Sequence, residues 1–250
     1  MRDSNVDGVV VGRPYQEIYE QSLTQKYPIG TIHERHGRRW RYCKAYETFL
    51  FNHRLAPNMA LQGGDTGGTA FGIEKNLYTG AAGIAGDTSV LVETTVAYAV
   101  DYFFGGLMVL FTGANPALYC LRVSGNDLGT GAYVKIYLDE PLPIDVPVTY
   151  GVNIHPSPYM NVGSSEHCAN APIVCVPMVI ASSGYFFWGQ TRGPCWVTPN
   201  TFAWGPEKVA LTDGTIVKAT SSEVRQCVGI AGCRSSNGSY DDGVIMLHLE

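Results

Sequence analysis

Charge is scarce in this 250-residue chain: 16% of its residues are Asp, Glu, Lys or Arg, against ~25% in ordinary soluble domains. The net charge of −5 disfavours a surface that tracks phosphates, so no direct contact with nucleic acid is expected. Long hydrophobic runs are missing too. The longest, AYAVDYFFGGLMVLF from Ala97 to Phe111, is broken by Asp101 and by Gly105 and Gly106, and it falls short of the ~20 residues that a membrane-crossing helix needs. No membrane partner is expected. The first thirty residues lack a basic start followed by an apolar stretch, so no secretory signal is read and the chain is expected to stay where it is made.

Linear chemical motifs are absent as well. There is no GxSxG, GxxxxGK[ST], HExxH or EF-hand loop, and the glycine-rich GGDTGGTAFG does not sit between a strand and a helix as a phosphate cradle would. No CxxC occurs among the seven cysteines (Cys43, Cys120, Cys168, Cys175, Cys195, Cys227 and Cys233), which leaves a structural zinc site without support. Their number is odd, and most lie in apolar, strand-like runs such as PIVCVPMVI and ALYCLRV. Reduced, buried thiols are therefore expected rather than a disulfide framework. His167, Cys168 and Cys175 come nearest to a ligand cluster, with His33 and His36 next, and an exposed hairpin position accounts for the two histidines more simply. No catalytic, cofactor-binding or metal-ligating residue is assigned, no cofactor is expected, and the chain is not read as an enzyme.

What is abundant is glycine and β-forming sequence. The 29 glycines exceed the roughly 18 that average usage of ~7% would give. After Asp87, segments rich in Val, Leu, Tyr and Thr, such as TSVLVETTVAY, GGLMVLFTG, ALYCLRVSG, GAYVKIYLD and PVTYGVNIH, are separated by Gly, Asn, Asp or Pro. PIVCVPMVIAS, GYFFWGQTR, PCWVTP, KVALTDGTIVKAT, RQCVGIAGC and GVIMLHL continue the habit, a pattern of short strands that predicts a sandwich or barrel. Earlier in the chain, GTIHERHGRRWRYCKA predicts a hairpin turning at His36 and Gly37. The basic residues Arg35, Arg38, Arg39 and Arg41 on it read first as a solvated strand face and second as a contact for an acidic partner. Ala45, Phe49 and Leu50 stand near helical spacing before Pro57, which predicts one short helix after Lys44.

The organisation expected is mainly β, of sandwich or barrel architecture, with two β subdomains, an N-terminal arm and that one helix. An extended arm covers 1–27, a first β-rich domain with the hairpin, helix and Gly-rich loop covers 28–160, and a second covers 161–250. Removal of the arm is expected to leave the β body folded. Within GYFFWGQTRGPCWV, from Gly184, the alternation predicts a strand buried on both faces, a turn at Gly193 and Pro194, and a new strand from Cys195. A nucleophilic role for Cys195 would need an electropositive setting, which Arg192 could supply, but no nucleophile motif surrounds it.

Several of these segments together, GTIHERHGRRWRYCKA, DYFFGGLMVLFTGANPALYCLRV, GYFFWGQTRGPCWV and CVGIAGC, resemble a loosely defined group of tailed-bacteriophage virion proteins encoded among head genes. In that group a similar hairpin precedes a β-rich body, and a strand like YFFWGQTRGP follows. The resemblance covers most of the chain after Pro28. It implies a capsid decoration, or cement, protein made in the host cytoplasm and carried on the capsid surface of the virion. Its partners would be the major capsid protein and copies of itself, as a homotrimer. Two other classes stay open: a tail-fibre or carbohydrate-binding β module, with residues such as Trp204 or Tyr240 as stacking platforms, and a β-barrel hydrolase built around a polar cleft.

Overall fold

The computed structural model describes residues 9–10, 15–48, 52–59, 74–111, 117–148, 150–164, 171–198, 208–212, 215–218, 226–231 and 244–250. Among them are sixteen strands and no α-helix. Four strands come first: β1 Val9–Val10, β2 Ile32–Arg35, β3 Arg38–Lys44 and β4 Ala56–Pro57. Six follow, β5 Glu74–Tyr78, β6 Ser89–Glu93, β7 Leu107–Phe111, β8 Ala117–Asn126, β9 Tyr133–Leu138 and β10 Gly151–His155. The last six are β11 Ile173–Pro177, β12 Phe186–Trp196, β13 Lys208–Thr212, β14 Thr215–Lys218, β15 Cys227–Ala231 and β16 Val244–His248. The fold is mainly β, as the strand patterning requires, and it divides into two units, residues 1–64 with 158–250 and residues 65–157.

This division differs from the linear one expected from the sequence. The anticipated break near residue 160 lies close to the observed one, but the hairpin β2–β3 belongs with the strands of the second half. The reason is pairing: β3 runs antiparallel to β12, from Lys44 opposite Phe186 to Arg39 opposite Arg192. The sheet of this first unit runs β1-β2-β3-β12-β16-β15-β13-β14, with β11 on β12 and β4 on β11. The chain leaves and re-enters it at neighbouring points, since Asn58 bridges Val162 and the Met59 N–H donates to the Asn161 carbonyl at 2.9 Å.

No helix follows Lys44 among the described residues. The backbone there bonds to distant chain instead: Lys44 N–H to Tyr159 O, Ala45 N–H to Tyr185 O and Tyr46 N–H to Val162 O, at 2.8 to 3.0 Å. Leu55, Ala56 and Met59 are buried; tertiary pairing overrides the helical spacing at residues 44–46, while Phe49 and Leu50 lie outside the described residues. The hairpin turn is as expected, with φ of 52° at His36 and 74° at Gly37 between the paired Arg35 and Arg38, the positive angles of a two-residue turn. The turn foreseen at Gly193 and Pro194 is not a turn. β12 continues through it as one eleven-residue strand, because Gly193, at φ 88°, lies where a Cβ would come 2.3 Å from the Gly37 carbonyl oxygen. Only glycine allows that approach. Pro194 lies past the last residue paired with β3, where one strand edge is open and a proline is tolerated.

The second unit is a six-stranded sheet, β5-β10-β7-β8-β9-β6. β8 pairs β7 through its first half and β9 through its second, and the register shifts between Val123 and Gly125. That shift bends the strand. The sheet curls round a core that includes Val92, Phe103, Met108, Leu110, Val123, Ile136 and Ile154. Among the described residues its outer strands meet where Thr79 bridges Val92, so it wraps its core in the manner of a sandwich without closing into a barrel.

Candidate interaction surface

The first half of β12 is core. Phe186, Phe187, Trp188, Gly189 and Gln190 are all buried, with β3 on one edge and β11 on the other. The Trp188 indole N–H donates to the Gln16 carbonyl at 2.8 Å. Gln16 in turn accepts from the Tyr42 hydroxyl at 2.7 Å and donates to the Phe186 and Glu20 carbonyls at 2.9 Å. Burial pushes the Tyr42 phenol up to about 12. The Tyr27 ring packs 5.3 Å from both Tyr42 and Trp188. Residues 15–27, expected to belong to an extended arm, are thus fastened to the sheet; the polar look of YQEIYEQSL hides one buried glutamine whose amide is fully used.

The pairing of β12 with β3 shifts register between Gln190 and Arg192, and Gln190 holds the bend this makes. Its amide nitrogen donates to the Arg192 and Pro194 carbonyls at 3.0 and 2.9 Å, and its oxygen accepts from Arg38 Nε at 3.1 Å. Gly189 makes room for two thiols, Cys43 and Cys175, whose sulfurs lie 3.9 Å apart. Those cysteines stand on strands flanking β12 on opposite edges. Two strand spacings of ~4.8 Å put such backbones roughly 9.6 Å apart, beyond the ~7 Å limit for a disulfide. Cys43, Cys120, Cys175, Cys195 and Cys227 are free thiols, Cys120 and Cys227 being exposed rather than buried; Cys168 and Cys233, with His167, lie outside the described residues.

Past the bend the strand alternates. Thr191, Gly193, Cys195 and Val197 point inward, and Arg192, Pro194 and Trp196 outward. Burial pushes the Cys195 thiol up to about 12, and Arg38 only partly offsets that, so it is protonated at neutral pH and lacks the thiolate a nucleophile needs. His53, at a left-handed φ of 57°, packs edge-on to Trp196 at 5.6 Å. Its Nδ1 is buried with no hydrogen-bond partner among the described residues. Burial lowers its pKa, against a raising hydrogen bond to the Trp196 backbone. His33 corrects the expectation of two exposed histidines: it is buried and stacked on Trp40 at 5.4 Å, while His36 stays exposed in the turn. No group of three or more metal-ligating side chains comes together among the described residues.

The basic residues of the hairpin are not a bare solvated face. Arg38 bonds Gln190 and lies over the Trp40 ring at 4.7 Å. Arg39 pairs with Glu34 and, at 3.6 Å, with Glu250. Arg41 grips Glu250 through Nε and Nη2 and donates to the Gly30 carbonyl at 2.9 Å. Burial works against ionised Glu250, but hydrogen bonds from Arg41 and Thr191 outweigh it and hold the carboxyl below its ordinary range.

A different face remains open. The register places Arg192 opposite His248, Pro194 opposite Met246 and Trp196 opposite Val244, with Ile230 of β15 beyond Met246. A row that holds Arg192 is therefore followed by two apolar rows on the same side of three strands. Arg192, Pro194, Trp196, Met246, His248 and Ile230 are exposed, Trp196 by 37% and Met246 by 43%. Arg192 has no ion pair among the described residues. Contiguous exposed apolar surface of this kind marks contact sites.

Protein-family models, curated proteins and solved structures were all compared with the chain, and none matches it. The function is read from the surface alone. The alternation of β12 after its bend was the available signal in the sequence, and placing a turn at Gly193 hid it. Trp204, Tyr240 and the GGDTGGTAFG loop lie outside the described residues.

A second open surface lies at one end of the unit formed by residues 65–157. The segment 94–101 runs beside 126–132, with Thr94 N–H to Ala132 O at 3.0 Å, Asp101 N–H to Asn126 O at 2.9 Å and Gly129 N–H to Tyr98 O at 2.8 Å. The buried Asn126 amide fixes the arrangement by accepting from Phe103 N–H and donating to the Ala99 and Asp127 carbonyls. Val100 and Leu128 are exposed there, Leu128 by 69%, beside exposed Asp101 and Asp127.

Proposed function

We propose that the protein is a structural component of a virion, a capsid decoration protein that binds the outside of a major capsid protein lattice and stabilises the head. The observation that supports this reading is the apolar double row of Pro194, Met246, Ile230 and Trp196 on an otherwise regular sheet face. A protein of low charge with such a face is suited to binding other protein rather than small polar ligands. A glycan platform needs an aromatic ring lying open to water. Of the described tryptophans, Trp40 and Trp188 are buried and Trp196 is engaged by His53, which favours the decoration reading over the carbohydrate one. A hydrolase is also disfavoured, because the Cys195 thiol is protonated and Glu250 is held by Arg41.

A decoration protein stabilises by mass action, binding the assembled lattice and not its free subunits. Mixing the purified protein with undecorated expanded heads and imaging them by cryo-electron microscopy tests this. Regular density on the outer surface is expected; bare heads would overturn the reading.

A further inference from the structure

The charges of the two units differ. Residues 65–157 hold nine acidic and three basic residues, a net charge of −6, which leaves thirteen acidic and fourteen basic residues, net +1, in the rest. The exposed sheet face on the near-neutral unit has the cation Arg192 beside its apolar rows. The exposed end of the acidic unit presents Val100 and Leu128 among Asp101 and Asp127. The two surfaces match in kind, apolar to apolar and cation to anion, and each is mismatched with itself. Like charges placed face to face across an interface are destabilising, whereas the opposite arrangement steers association and fixes its register.

We infer that the β12–β16–β15 face of one copy docks on the 94–101 and 126–132 end of the next copy, head to tail. The inference rests on the decoration reading for its biological use and names the surfaces of self-association. The contact joins two different surfaces, so each copy gives one and receives the other, and rotation about a single axis closes the copies into a ring. Three copies, the number expected of a decoration homotrimer, make the ring expected here. The ionic rim contributes to each contact, so the ring loosens as salt rises.

Two variants separate this arrangement from one in which either surface pairs with its own copy. Met246→Asp places a negative charge on the cationic face, and Leu128→Arg places a positive charge on the acidic end; both positions are exposed, and a thermal melt checks the fold of each. If either misfolds, Arg192→Glu and Val100→Lys take their places. Light scattering at micromolar concentration is expected to give three times the chain mass for the wild type and a single chain for each variant alone. An equimolar mixture is expected to give a dimer with one copy of each variant, because one intact face and one intact end remain to meet. A monomeric wild type, a variant that keeps the wild-type mass, or a variant that dimerises by itself would overturn the inference. The head-binding experiment reads independently: decoration by a monomer removes the ring and keeps the function, and a ring beside bare heads does the reverse.

Discussion

Trp188 shows how one side chain ties sequence-distant segments together. It is fully buried, packs on Tyr27, Tyr42 and His33, and anchors Gln16 through its indole N–H. Trp188→Ala is expected to cost about 3–5 kcal/mol through lost contacts and the cavity left behind, measured as a lower urea midpoint with unchanged slope. His53 and Glu250 set the response to acid. Both have folded pKa values below their ordinary ones, 6.5 and 4.5, so each contributes stability that is present above its ordinary value and lost as pH falls through the lowered one. The urea midpoint should therefore drop in two stages, the first beginning below pH 6.5 and the second below 4.5. His53→Asn, a residue that tolerates the left-handed φ of 57°, should remove the first stage and leave the second. A profile unchanged by the substitution would show that His53 does not carry it.

At the level of elements, residues 15–27 are the revealing case. Gln16 makes its hydrogen bonds in the interior and Tyr27 is buried, so deletion of residues 1–27 is expected to abolish cooperative unfolding of the unit formed by 1–64 and 158–250. The milder Gln16→Ala should lower stability by about 1–3 kcal/mol, because the buried groups it serves lose a partner. Circular dichroism melts of both variants decide it; a deleted form that melts like the wild type would return these residues to the role of a loose arm. Strands were legible from the sequence because alternation and turn residues are local signals: β7, β9, β10, β15 and the β2–β3 turn fall within their expected segments. Local signals also misled. The spacing from Ala45 suggested a helix where the backbone of residues 44–46 bonds to chain more than 100 residues away, and Gly193-Pro194 suggested a turn where β12 runs on as a strand. The open face combines residues of β12, β15 and β16, and nothing in the order of residues along the chain brings Trp196 beside Val244 or Pro194 beside Met246 before the register is known.

On the scale of the whole molecule, residues 65–157 interrupt the other unit as a contiguous insertion with its own core. Expressed alone, this segment is expected to fold and unfold cooperatively, read by dispersed amide signals and a single thermal transition. A collapsed, non-cooperative product would show that its core depends on the rest of the chain. The same topology has a consequence for synthesis. β3 ends at Lys44 and its partner β12 begins at Phe186, so the inserted unit is made before the host unit can be completed. At ~5–20 residues per second, Trp40, Tyr42 and Cys43 wait roughly 7–30 s on the nascent chain for the strand that covers them. Late in that interval the growing polypeptide carries one finished body and a β2–β3 hairpin whose Trp40, Tyr42 and Cys43 are still uncovered, and this is when a holdase would find its binding segment and when crowded copies on one messenger would be most prone to aggregate.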